Sequence, residues 1–176
     1  MIRIFRRKPN ELTEKEIYNL FAEKMLVLCF RYLNNLMDAE EVLHNGFIKI
    51  FGNLKHFEEK HDNGFECWIR KIMVNESLMF LRKRTNFKLI SIDSTHDDEM
   101  EPIDFKHGME TESYLKIING LPVGYRTVFN LYAIEGYTHS EIANMLGITE
   151  STSRSQLTKA RKILQQKIIK IESLYA

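Results

Sequence analysis

GYTHSEIANMLGITESTSRSQLTKARKIL, residues 136–164, decides the fold of this chain. Thr138-His139-Ser140-Glu141 has the spacing of a capping box, in which a hydroxyl accepts from a backbone N–H and a carboxylate three residues on reaches back. A short helix from Ser140 to Leu146 follows, with Ile142, Ala143, Met145 and Leu146 turned largely inward. Gly147 permits a tight left-handed turn, and Ile148 fills the corner. Thr149 caps a new helix and places Glu150 in its positive first turn. Helix, glycine turn, helix is the helix-turn-helix layout, whose second helix enters the major groove of DNA.

The second helix can be tested by angle. At ~100° per residue, Ser153, Leu157, Ala160 and Leu164 fall within an arc of ~60° and make the buried face. Ser151, Arg154, Ser155, Thr158, Lys159 and Lys162 fall on the opposite side, which reads as a face free of acids, with three cations and short hydroxyls between them. Arginine pairs with guanine edges, serine and threonine meet bases or phosphates, and lysine holds phosphate. Upstream, Tyr125, Val128, Phe129 and Tyr132 stripe a helix that starts after Leu121-Pro122 and ends near Gly136.

Three helical patterns fill the N-terminal half. The first runs from about Thr13 to Asn35, opened by a Thr13–Glu16 capping box and striped by Ile17, Leu20, Phe21, Met25, Leu28, Tyr32 and Leu33. The second runs from about Asp38, its expected N-cap, to Leu54, with Ala39, Val42, Leu43, Phe47, Ile50, Phe51 and Leu54 on one stripe. Its other face, carrying Asp38, Glu41, His44, Asn45, Lys49 and Asn53, has the composition of an ordinary solvated surface. The third runs from about Phe65 to Arg84, with Phe65, Trp68, Ile69, Ile72, Met73, Leu78 and Leu81 on its stripe and Arg70, Lys71, Arg82, Lys83 and Arg84 among its cations. The polar segment Lys55 to Gly64 ends in an Asp62-Asn63-Gly64 turn signal. Aromatic and basic residues interleaved near such a loop suit single-stranded nucleic acid, and they suit a plain helical core equally well.

With 176 residues, 44% of them hydrophobic and 28% charged, the chain can bury a core in one or two small domains. The net charge of +1 taken alone argues against a polyanion partner, but it is unevenly spread. Residues 1–90 hold 16 basic and 12 acidic residues, 91–120 hold 2 and 8, and 121–176 hold 7 and 4, so two basic lobes flank an acidic middle. That middle reads as a linker, roughly Lys88 to Glu110; the alternative is an ordered acidic loop of a single domain.

No apolar run approaches the about 18 residues of a membrane span, and MIRIFRRKPN has no apolar segment or cleavage site of a secretory signal. The expectation is a cytoplasmic protein with no membrane insertion. Cys29 and Cys67 lack CxxC spacing, the six histidines show no ligand spacing, and no nucleophile elbow, P-loop or dinucleotide fingerprint occurs. These absences predict no catalytic residues, no cofactor and no metal.

Residues 136–164 closely resemble region 4 of bacterial sigma factors of the sigma-70 superfamily. DAEEVLHNGFIKIFGNLKHF, residues 38–57, resembles region 2.2, and FECWIRKIMVNESLMFLRKR, residues 65–84, resembles regions 2.3 to 2.4. With two sigma regions and a short connector, the chain looks like an extracytoplasmic-function (ECF) sigma factor. The resemblance implies an all-α protein of two small helical domains: region 2 over 11–87, a flexible acidic linker over 88–110, and region 4 over 111–174.

It also implies partners and roles. Core RNA polymerase would be bound through the clamp and flap of its beta subunits, with Asp38, Glu41, His44, Asn45 and Lys49 on the clamp. Promoter DNA would be read at the minus-10 element by Phe57, His61, Trp68, Arg70, Lys71 and Asn75. Ser151, Arg154, Ser155, Thr158, Lys159 and Lys162 would face the minus-35 element. Anti-sigma factors are common partners in the family.

The sequence departs from the family pattern in three places. His44 and Asn45 stand where many relatives have Gln and Glu, Ser151 replaces a common Gly, and Ser153 replaces an apolar residue, which predicts a slightly loosened recognition helix. The alternative function is a helix-turn-helix regulator that acts without core polymerase.

Overall fold

The structure is a computed structural model that describes residues 11–58, 63–85 and 115–175. All regular structure among these residues is helical, and the chain divides into two compact units, Met1–Arg84 and Thr85–Ala176. The expected linker, residues 88–110, falls outside the described residues, as does His61.

The first unit is built on three helices: α1 (Glu14–Leu33), α2 (Leu36–Asn53) and α3 (Gly64–Thr85). The Thr13 hydroxyl accepts from the Glu16 N–H at 3.2 Å, and the Glu16 carboxylate accepts from the Thr13 N–H at 2.8 Å, so the capping box forms as expected. The junction of α1 and α2 differs from expectation. Asn34 alone closes α1, in left-handed conformation with φ 56°, which asparagine tolerates better than most residues. Asn35 then opens α2, its side chain accepting from the Asp38 N–H at 3.0 Å. Asp38 is therefore a first-turn acid rather than the N-cap, and α2 begins three residues earlier than its apolar stripe suggests.

The core of this unit gathers Ile17, Met25, Leu28, Tyr32, Ile50, Ile69 and Met73, all fully buried. Each such side chain removed from water contributes about 1.5–3 kcal/mol before entropy is subtracted. Gly46 lets α2 close on α3, because a β-carbon there would overlap the Met73 thioether. Two ion pairs staple the same helices together: Asp38 with Arg84, and Lys49 with the buried Glu76. A leucine-led turn of 3-10 helix, Leu54–His56, follows α2, and Asn63 adopts φ 67° before α3 begins.

In the second unit, helical residues 115–119 lead to α4 (Val123–Phe129), α5 (His139–Leu146) and α6 (Glu150–Tyr175). Pro122 is the N-cap of α4, so the helix starts after Leu121-Pro122 as expected. The helix continues after Phe129 as one wide π turn, Asn130–Ile134, so regular α geometry stops short of Gly136. Leu121, Ala160 and Leu164 form the heart of a small apolar cluster, with Ile117, Tyr125, Phe129 and Ile163 packed around it.

Candidate nucleic-acid interface

The helix-turn-helix forms from its local signals. The Thr138 hydroxyl accepts from the Glu141 N–H at 3.3 Å and the Glu141 carboxylate accepts from the Thr138 N–H at 2.8 Å. Gly147 closes α5 at φ 67°, the left-handed region that favours glycine. The Thr149 hydroxyl accepts from the Thr152 N–H at 3.1 Å and so caps α6. On α6, Ser153, Leu157, Ala160 and Leu164 are buried, while Ser151, Arg154, Ser155, Thr158, Lys159 and Lys162 are all exposed.

The outer face of α6 is not free of acids. The Arg154 guanidinium donates to the Glu150 carboxylate at 2.7 Å, one helical turn back. Lys159 leans over the Tyr125 ring, 5.8 Å from its centroid. The hydroxyls are engaged locally: Ser155 donates to the Thr152 carbonyl and Thr158 to the Arg154 carbonyl, both at 3.0 Å. Each hydroxyl oxygen keeps acceptor capacity toward an incoming base or backbone donor.

Ser153 does not leave its helix loose. It is fully buried, and its Oγ lies 2.9 Å from Nδ1 of His139 on α5, so its polar atom is satisfied. The His139 ring stacks on Tyr132 of the π turn, centroids 4.5 Å apart. Partial burial, aided by the Arg154 and Arg161 guanidiniums and opposed by Glu150, lowers the His139 pKa below the ordinary imidazole value. His139 was not among the residues that the sequence pattern marks, because its partner lies 14 positions away on another helix.

In the first unit, Phe57 and Trp68 are half-buried around the buried Phe65, with centroid distances of 5.0 Å for Phe57 to either ring. Lys71 and Asn75 are exposed on the side of α3 that carries Trp68. Arg70 is half-buried and, at ~100° per residue, points roughly opposite to Trp68, so it does not share their face.

The outward face of α2 also sorts its residues. Glu41, His44 and Asn45 are exposed, whereas Asp38 and Lys49 are engaged with α3. Met37, 78% exposed, and Ile48, 68% exposed, lie on this same outward face. Sequence reading missed both, although their position off the buried stripe was the available signal.

Two sets of helices, each with an exposed face of its own, match known proteins in sequence. The Sigma-70 region 2 family model matches residues 17–87, and the model for Sigma-70, region 4 matches residues 111–164. The chain belongs to the sigma-70 family of RNA polymerase sigma factors. Among its relatives are ECF sigma factors. It is 24% identical over 175 residues to the ECF RNA polymerase sigma factor SigW of Bacillus subtilis, with 92% of each chain covered. It is 25% identical over 163 residues to the ECF sigma factor SigE of Mycolicibacterium smegmatis, covering 90% of this chain and 62% of that protein. The sigma factor RpoE of Bartonella quintana, solved in complex with the anti-sigma factor NepR, shares the fold at a TM-score of 0.56 and 20% identity, covering 86% of this chain and 94% of that one. This sigma factor is thus all-α, with a region 2 and a region 4 in family order.

Proposed function

We propose that this ECF sigma factor binds core RNA polymerase, directs it to a promoter and opens the minus-10 element. The observation that carries the reading is that both units match sigma regions, in order, in one chain. A regulator using only its helix-turn-helix would leave the region 2 match without a role. In this reading region 2 is assigned to 11–87, the connector to 88–110 and region 4 to 111–174.

The clamp surface is the outward face of α2, where Met37 and Ile48 supply apolar contact area and Glu41, His44 and Asn45 supply polar register. Asp38 and Lys49 instead hold α2 to α3. Trp68, Lys71 and Asn75, with Phe57, receive the unpaired minus-10 strand. Ser151, Arg154, Ser155, Thr158, Lys159 and Lys162 face the minus-35 duplex. Region 4 docks on the flap, an anti-sigma factor is a fitting regulatory partner, and the site of action is the cytoplasm.

No chemical step comes from this chain; the polymerase makes RNA. Its contribution is differential binding. Extruding a base costs a few kcal/mol, and stacking returns about 1–3 kcal/mol per base. Two weak lobes held on one polymerase gain further from their mutual effective concentration.

The test is run-off transcription with core enzyme on promoters selected from a randomised library, beside a core-binding titration. Wild-type chain is expected to bind core and initiate at one promoter class, and Ile48→Lys to lose core affinity without losing its fold. Footprinting by the isolated chain, with no binding to core at micromolar concentration, would overturn the proposal in favour of a polymerase-independent regulator.

A further inference from the structure

The start of the recognition helix is held by a polar contact inside a mostly apolar interface. Ser153 is fully buried and immediately precedes Arg154. Its hydroxyl meets Nδ1 of His139, the first residue of α5, at 2.9 Å. Tyr132 backs the imidazole, the two planes only 20° from parallel. Arg161 of α6 lies 5.8 Å from the same Tyr132 ring, so the π turn, α5 and α6 converge here. Around this point the other buried residues of the motif are the apolar Ile142, Ala143, Leu157 and Ala160, together with the polar Gln156. Apolar burial is non-directional and tolerates rotation of one helix against another. A hydrogen bond of this length is directional and does not.

We infer that His139 is a positioning residue for promoter recognition: its Nδ1 contact with Ser153 sets the rotation of α6 about its own axis, and so where Arg154, Ser155 and Thr158 meet the bases. This rests on α6 being the minus-35 helix. Ser153 is the pivot because the residue that makes the buried contact is immediately followed by the first cation on the outer face. The inward contact therefore acts on the reading face with no intervening flexible segment.

Two substitutions of His139 separate the bond from the ring. His139→Phe keeps the stack on Tyr132 and removes the Nδ1 contact. His139→Asn places a polar atom near the Nδ1 position and removes the ring. In His139→Phe the Ser153 hydroxyl can turn to a carbonyl of its own preceding turn, so the helix persists. Ser153→Ala removes the same bond by deleting one oxygen and keeps the experiment open if the larger ring disturbs packing.

The full chain is assembled with core polymerase and offered its selected promoter with the minus-35 element intact or scrambled. His139→Phe and Ser153→Ala are each expected to lose roughly three- to tenfold of the preference for the intact element, the effect of one buried hydrogen bond. The double variant should lose no more than either alone. His139→Asn should recover most of the preference, and core affinity should stay unchanged throughout. Wild-type preference in both His139→Phe and Ser153→Ala, or a loss that His139→Asn does not recover, overturns the inference alone. A wild-type holoenzyme indifferent to the minus-35 element overturns the reading of α6, and the inference with it.

Discussion

Arg154 shows what a helical projection can and cannot reveal about a single residue. Its place on the outer face of α6 is legible from spacing, and it is exposed there. Its partner Glu150, four residues back, is also within reach of sequence reading, but as a first-turn acid it is easily assigned to the helix end and left off the face. An exposed pair of this kind contributes only about 0.3–0.5 kcal/mol. It therefore orders the guanidinium in the free protein and yields readily to a stronger acceptor. A guanine edge offers two acceptors in the fork geometry of arginine. Arg154→Ala is expected to weaken holoenzyme binding to the intact minus-35 element by roughly 1–3 kcal/mol and to leave binding to scrambled elements nearly unchanged. Competition binding on the two promoters reads the difference. An equal loss on both would make Arg154 a phosphate contact.

At the scale of elements, what was legible was local. Both capping boxes, Thr13–Glu16 and Thr138–Glu141, form as their spacing implies, because each is complete within four residues. The α1–α2 junction is not legible because adjacent asparagines can close one helix and open the next, and composition does not say which does what. Contacts between helices were not legible at all. Asp38–Arg84 spans 46 positions and Lys49–Glu76 spans 27, and periodicity assigns faces, not partners.

The packing of α5 on α6 brings a pH dependence that follows from one such contact. His139 is held below the ordinary value of about 6.5, first by desolvation, then by Arg154 and Arg161, against the opposing Glu150. The unfolded chain therefore takes up a proton at higher pH than the folded one. The stability linked to neutral His139 is fully present above about pH 6.5 and is lost as pH falls through the folded value. Melting curves of the full chain are expected to shift down between pH 7.5 and 5.5 by more in wild type than in His139→Phe. The remaining histidines are common to both proteins and cancel in the comparison. Equal shifts in the two would show that the packing of α5 on α6 does not perturb His139.

For the whole molecule, the instructive quantity is charge. The chain has a net charge of +1, but residues 91–120 alone carry 8 acids against 2 bases, tethered between two basic lobes. A tethered polyanion can compete with DNA for basic lobes at an effective concentration of roughly millimolar, and the competition fades as salt screens it. The free chain should accordingly bind non-specific duplex weakly, and polymerase, by engaging both lobes, should restore promoter binding. Replacing Asp97, Asp98 and Glu99 with Asn, Asn and Gln removes three of the eight acids without altering either lobe. The free variant is expected to bind a random duplex several-fold more tightly than wild type at low salt, because fewer acids oppose phosphate neutralisation. The two proteins should converge as salt is raised, since the Debye length falls from about 30 Å at 0.01 M to about 8 Å at 0.15 M. Fluorescence anisotropy across that salt series makes the comparison directly. Identical affinities at the lowest salt would mean that the acidic segment does not reach the DNA-binding faces, and that weak binding by the free chain has its cause within the lobes themselves.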